Sequence, residues 1–367
     1  MGKRGSGGRL LFCIMKSSLL IALISGTLTA NSHNMDMNTD TSVAPAEKLE
    51  LTQEWDKVFP KSDIVDHRKV TFVNRYGVTI AADMYRPRHA KGKMPALAIS
   101  GPFGAVKEQS SGLYAQQLAE RGFLTIAFDP SFTGESGGMP RRVASPDINT
   151  EDFSAAVDYL STHPDVDADR IGILGICGWG GIAIQAAIND PRIKATVAST
   201  MYDMTRVTAN GYFDADNSAE KRNANRRALA EQRTEDYRNS RYQRAGGVVD
   251  PLPDDAPQFV KDYHAYYKTS RGFHPRSGNS TDGWNSTSAL PFMNFKFFEY
   301  ADELENAVMI VHGDKAHSYY FGKDTFALLK GDNKQLLTVK DATHCDLYDQ
   351  IDIIPFDEIA SFYQKYL

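Results

Sequence analysis

One cysteine sits where the chain narrows to its smallest residues. Residues 170–181 read Arg-Ile-Gly-Ile-Leu-Gly-Ile-Cys-Gly-Trp-Gly-Gly, and an Ala/Ile-rich stretch follows to Asn189. Ile171, Ile173, Leu174 and Ile176 have the apolar, β-branched character of a strand buried on both faces. Glycines then surround Cys177, and a helix begins. A strand, a sharp turn and a helix hold one side chain on a strained turn whose neighbours must be tiny. A thiol held there is placed to attack a carbonyl carbon. At a helix N-terminus its pKa is expected to be lowered, leaving it partly thiolate near neutrality. Thiolate is also a good leaving group, so esters, thioesters and lactones suit it better than amides. The plainer reading is a glycine-rich turn around a small, inert, buried cysteine.

Three cysteines are present, Cys13, Cys177 and Cys345. Residues 1–30 carry Lys3, Arg4, Arg9 and Lys16 and no acid, then an apolar run and Thr27-Leu28-Thr29-Ala30. A basic flank, a short apolar run and small residues predict a secretory leader, cleaved after Ala30. Lys16 splits the apolar stretch, and neither half reaches the roughly 20 residues a membrane span needs. Export would leave Cys177 and Cys345, which could pair as a disulfide and end the proposed chemistry. Residues 31–47 read as a polar linker.

The elements that must position Cys177 follow from periodicity. Lys69–Pro87 flanks Asn74-Arg75-Tyr76-Gly77 with apolar alternation and reads as a β-hairpin. Pro95–Ser100, Leu124–Phe128, the Cys177 strand and Lys194–Ser199 read as buried strands separated by helices near 111–121, 149–162 and 182–189. That alternation predicts βαβ units and a parallel sheet. From 201 to 301 the rhythm stops: Ser218–Arg244 is polar and Arg-rich, and no clean strand appears. It resumes at Ala307–His312, Tyr319–Leu329, Leu336–Val339 and Pro355–Leu367. The expected organisation is a core at 48–200 and 302–367, with a largely helical cap at 201–301 over the C-terminal edge of the sheet, where open α/β sheets bind ligands.

This order of elements resembles the α/β-hydrolase fold over Lys69–Leu367. More closely, it is similar to the dienelactone-hydrolase-like and X-Pro dipeptidyl-peptidase-like branch. The first of these is known for a cysteine nucleophile, matching Cys177. The second tolerates a large residue two after the nucleophile with glycine next, matching Trp179-Gly180. Most members have glycine at the Trp179 position, so an indole is expected beside the reactive centre. The resemblance implies that His344, in the turn after the last strand, is the general base. The common acid position, three residues beyond Gly313, holds Ala316. Asp314 is then the first choice for the acid and Asp324 the second. An oxyanion hole needs two backbone N–H groups; these would come from Gly178 and, since Pro102 has none, from Phe103. Trp179, Tyr202 and Tyr212 are expected to line the pocket. Tyr266 and Tyr267 would either join them or form the cap's own core.

Charge and motifs exclude other classes. The net charge is −5 and no basic run stands out, which argues against a nucleic-acid partner. No His-Glu-x-x-His, paired-cysteine or phosphate-loop motif occurs, so neither a metal nor a cofactor is expected. The reading is an exported acyl hydrolase acting on a small acyl substrate through Cys177, with no membrane partner once the leader is gone. A short-peptide peptidase or acyltransferase on the same frame, and a non-catalytic binding protein, remain the alternatives.

Overall fold

The hairpin that opens the sheet turns on Asn74, whose Oδ1 accepts from the backbone N–H of Tyr76 and Val78, both at 3.0 Å. It joins β1 (Val65–Val73) to β2 (Thr79–Pro87) in antiparallel register. β1 starts four residues before the expected Lys69, because its outer half is exposed and shows no apolar run. This computed structural model describes residues 45–367. The leader of residues 1–30, its cleavage after Ala30, and most of the linker lie outside the described residues. At the linker's end, Glu47 N–H already bonds Thr79 Oγ1 at 2.7 Å.

Eight strands form one sheet in the order β1-β2-β4-β3-β5-β6-β7-β8. β3 (Met94–Ser100) leads into α1 (Ser110–Glu120), and β4 (Leu124–Phe128) into α2 (Pro146–Thr162). β5 (Val166–Ile176) leads into α3 (Gly178–Asn189), and β6 (Ala195–Ser199) follows. From β4 to β8 all neighbours pair in parallel. β4, β6 and the C-terminal half of β5 are buried throughout, which is why they read as near-continuous apolar runs. α2 begins three residues earlier than expected, at Pro146. Ser145 caps it and proline at the first position suits the helical φ.

Between β6 and β7 lies the insertion. It contains α4 (Met204–Asn210), α5 (Ala219–Asn239), α6 (Gln258–Tyr267) and α7 (Ala289–Asn294). α5 buries only Asp236, as its all-polar surface requires. Two isolated bridges, Arg244 with Asn285 and Gly246 with Gly283, are its only sheet-like pairings among the described residues. The sheet closes with β7 (Ala307–Gly313), α8 (Tyr319–Leu328), β8 (Lys334–Val339), the short α9 (Asp346–Asp349) and α10 (Phe356–Tyr366). Apolar cores fill both faces of the sheet. Ile173, Phe153 and Trp179 belong to one, and Leu174, Tyr114 and Phe356 to the other. Among the described residues no helix is long and apolar enough to cross a membrane.

The consequence for function is positional. β5 delivers Cys177, β6 Thr200, β7 the loop with Ser318, and β8 the turn with His344, all at the C-terminal edge of the parallel strands.

Candidate active site

Cys177 is the residue before α3 and has φ +58° and ψ −127°. A non-glycine residue in that region costs about 1–3 kcal/mol and persists only when its surroundings hold it. Here three backbone bonds do so: Cys177 N–H to Ser199 O at 2.9 Å, Gly180 N–H to Cys177 O at 2.9 Å, and Tyr202 N–H to Cys177 O at 3.0 Å. The glycines are obligatory. A Cβ on Gly175 would lie 1.9 Å from Trp179 O, and one on Gly178 would lie 2.7 Å from both Phe103 Cβ and Met204 Sδ.

The backbone N–H groups of Gly178 and Phe103 both act on the Cys177 thiol, each lowering its pKa. The Phe103 peptide is fixed by the insertion. Asn279 Nδ2 donates to Phe103 O at 2.7 Å, and Asn279 N–H and Ser277 Oγ donate to Gly104 O at 3.0 and 2.8 Å. The hydroxyls of Tyr348 and Tyr263, which line the same cavity as Cys177, lower the thiol's pKa too. Burial nevertheless pushes the Cys177 thiol above its ordinary pKa, against the lowered value expected at a helix N-terminus. The helix end and four donors act on it, but the loss of water is the larger effect.

His344 is buried in the turn after β8. Its Nε2 faces Tyr348 Oη at 3.0 Å. Its Nδ1 faces Ser318 Oγ at 2.6 Å and Thr200 Oγ1 at 2.8 Å. Among the described residues no carboxylate reaches the ring. Asp314 is exposed, and its Oδ1 accepts from Asp341 N–H at 2.8 Å instead. Asp324 is exposed on α8 and paired with Arg206 at 2.8 Å. Neither expected acid is brought to His344: Asp314 is turned back onto the Asp341 loop, and Asp324 is drawn to α4. Hydroxyls occupy the orienting position. Ser318 stands just before α8 yet caps no helix N–H, since its hydroxyl is spent on His344. Burial, with His317 and His312 nearby, holds the His344 pKa well below 6.5. The resting pair is therefore a neutral thiol and a neutral imidazole.

The cavity over Cys177 encloses about 220 Å³. Tyr202 and Tyr212 line it, together with Phe103, Met204, Tyr263 and Asn279. No charged side chain does. Trp179 does not line it. The indole is fully buried on the opposite side of α3, edge-on to Phe128 and Phe153 at 5.7 and 5.5 Å. The elbow directs Cys177 up and Trp179 down into the core, so the indole is not beside the reactive centre. Tyr266 and Tyr267 are fully buried and pack on Tyr348 at 5.0 and 6.2 Å rather than lining the cavity. Cys177 and Cys345 are both free thiols.

The sequence reading missed Thr200, Ser318, Tyr263 and Tyr348. Tyr348 alone left a signal, lying four residues beyond His344 where a helical turn brings side chains together. Among the described residues, the carboxylates of Glu108, Asp129 and Glu135 form a group that could hold a metal ion. Lys107 Nζ already bonds all three, at 2.6, 2.9 and 2.6 Å.

Residues 76–345 match the family described as X-Pro dipeptidyl-peptidase (S15 family). That match covers most of the chain. The chain belongs to the X-Pro dipeptidyl-peptidase (S15) family. An uncharacterized Pseudomonas aeruginosa protein is 54% identical over 324 residues, 87% of this chain and 86% of that protein. Its crystal structure superposes with a TM-score of 0.85 at 53% identity, covering 88% of this chain and all of that one. An α/β hydrolase from Penicillium has a TM-score of 0.68 at 18% identity, covering 82% of this chain and 99% of that chain, a likeness of fold. A thiohydrolase from Aspergillus aculeatus is 32% identical over 132 residues, 36% of this chain and 41% of that protein. This S15-family member is thus a hydrolase of the α/β-hydrolase type, with its helical insertion between β6 and β7.

Proposed function

We propose that this S15-family chain is an acyl hydrolase working through an acyl-cysteine intermediate on Cys177. The observation that carries the reading is the strained φ of Cys177 at the mouth of a cavity it shares with Phe103, with the Phe103 and Gly178 N–H groups acting on its thiol. In the first half-reaction Sγ attacks the carbonyl carbon, and His344 ultimately takes the thiol proton. The displaced electron pair settles on the carbonyl oxygen, facing Phe103 and Gly178 N–H. Collapse expels the alkoxide or thiolate, which leaves protonated, and water then releases the acid by the same steps. An acceptor other than water would make the chemistry an acyl transfer.

The substrate class follows from the cavity. An uncharged lining of aromatic rings, a thioether and one amide suits a small neutral acyl group. A thioester or activated ester also avoids the difficulty an amide poses to a thiolate. The local likeness to an Aspergillus thiohydrolase supports thioesters in particular. The family itself favours a second reading, cleavage of short peptides. Against it, no carboxylate lines the cavity to receive a peptide's ammonium group. The basic, apolar start of the chain supports export, and a shift of the mature N-terminus to Asn31 would test it.

A panel of p-nitrophenyl esters, acyl thioesters and aminoacyl-prolyl amides decides among these readings. Turnover of esters and thioesters that is abolished in Cys177→Ala is expected. Undiminished turnover in that variant sinks the acyl-cysteine reading, and release confined to the prolyl amides selects the peptidase.

A further inference from the structure

We propose that Tyr348 is a catalytic proton relay, so that His344 reaches Cys177 through a phenol rather than by direct contact. The inference rests on Cys177 being the nucleophile. Tyr348 Oη is 3.0 Å from His344 Nε2, Tyr348 and Cys177 line the same small cavity, and the phenol acts on the thiol to lower its pKa. His344 is not among the groups that act most strongly on the Cys177 thiol, whereas Tyr348 is. Each end of the relay is fixed. Nδ1 of His344 is held by Ser318 and Thr200, which leaves Nε2 as the only ring nitrogen free to serve the relay. Tyr348 is fully buried, with its ring edge-on to His344 at 5.3 Å and to Tyr266 at 5.0 Å. Its hydroxyl therefore has little room to leave the line between base and nucleophile.

A phenol can do what the site requires because one oxygen both accepts and donates. As the C–S bond forms, the thiol proton passes to Tyr348 Oη while the phenol's own proton passes to His344 Nε2. Tyr348 ends as it began, the imidazole becomes imidazolium, and the carbonyl π pair rests on the oxygen in the hole. On collapse the two protons run back, Nε2 to Oη and Oη to the leaving oxygen or sulfur. Burial keeps Tyr348 a phenol, raising its pKa well above 10, so it does not drain the proton as a stable phenolate. The absence of a carboxylate on Nδ1 fits the same scheme. The imidazolium need exist only transiently, and a hydroxyl pair suffices to orient the ring.

The experiment uses Tyr348→Phe, which keeps the ring and removes the oxygen. Two probes are read: p-nitrophenyl acetate acylation and the rate of Cys177 alkylation by iodoacetamide at pH 7.5. Acylation is expected to fall by roughly 10²-fold or more, the scale of general-base assistance, with KM little changed, and alkylation should slow in parallel. A proton inventory of acylation by the unaltered enzyme in H2O/D2O mixtures is expected to bow, as two protons in flight require. Near-normal acylation in Tyr348→Phe with an inert Cys177→Ala, or a linear inventory, overturns the relay and leaves the nucleophile standing. An active Cys177→Ala overturns the nucleophile and the relay together.

Discussion

Ser318 Oγ lies 2.6 Å from His344 Nδ1, where a carboxylate would be expected to orient the base. A hydroxyl there can fix the ring's direction but cannot neutralise an imidazolium. Burial is what holds the His344 pKa low and the Cys177 pKa high, and the hydroxyl brings no charge to offset it.

Removing the orienting hydroxyls should therefore cost orientation rather than charge. Ser318→Ala is expected to lower acylation about tenfold, the worth of one buried hydrogen bond. The double variant with Thr200→Ala should lose more than the product of the single losses, since each hydroxyl partly covers for the other. Ser318→Asp should move the acid limb of the rate profile to higher pH by raising the His344 pKa. Steady-state kinetics across pH checks all three.

The pH profile of the unaltered enzyme should bear the mark of a neutral pair. The base is competent only when unprotonated, and burial holds its pKa well below 6.5. The acid limb of kcat/KM is expected below pH 6.5 and not centred near it. Alkylation of Cys177, whose pKa is raised above 9.0, should still be climbing beyond pH 9. A thiolate plateau reached by pH 7 would contradict the neutral resting state.

Gly178 has no room for a methyl group, because a Cβ there meets Phe103 and Met204 at 2.7 Å. Gly178→Ala must push apart the two peptides whose N–H groups face the sulfur. A loss of about 10²–10³ in kcat is expected, the cost of one oxyanion donor. Thermal unfolding should change far less than kcat does, which separates this effect from general damage.

Lys107 is fully buried among Glu108, Asp129 and Glu135. Lys107→Met removes the cation and leaves the buried Asp129 without a partner charge, so stability should drop by about 3–5 kcal/mol. Urea unfolding of this variant beside the unaltered protein measures it. Within the same cluster, Glu135 is held down to about 2 by Lys107 and Lys69. Its contribution is present above its ordinary value of 4.5 and is lost as pH falls toward 2.

Acid should act earlier through a buried histidine. His312 is fully buried, with its Nε2 on Met201 O at 3.2 Å, and burial lowers its pKa to about 4. Below about pH 6.5 the unfolded chain binds a proton that the folded one refuses. Stability is expected to decline as pH falls from 6.5 to 4, and His312→Gln should flatten that decline. Melting temperatures over this range decide it.

Much of this was legible in the residues. The alternation of apolar runs and helical stretches told the parallel sheet, and the break at 201 told the insertion. Gly-x-Cys-Gly at a strand end told the elbow, because only glycine tolerates the contacts at 175 and 178. The orienting group was not legible. Asp314 and Asp324 have the right chemistry and the right neighbourhood in sequence, but the tertiary fold pairs them with Asp341 N–H and Arg206. Thr200 and Ser318 carry no pattern at all, being common hydroxyl residues 118 positions apart.

By itself, then, the sequence determined what short-range physics dictates: strand and helix periods, the glycine turn, the cysteine on it, and a histidine after the last strand. Only the tertiary structure decided what surrounds them. It sent Trp179 into the core, set two hydroxyls on His344 Nδ1, brought Tyr348 to His344 Nε2 and into the cavity of Cys177, and raised the thiol's pKa through burial. The reason is physical. Desolvation and hydrogen-bond partnership depend on atoms brought together from β5, β6, β7 and β8, and no spacing along the chain encodes a contact between four strand ends.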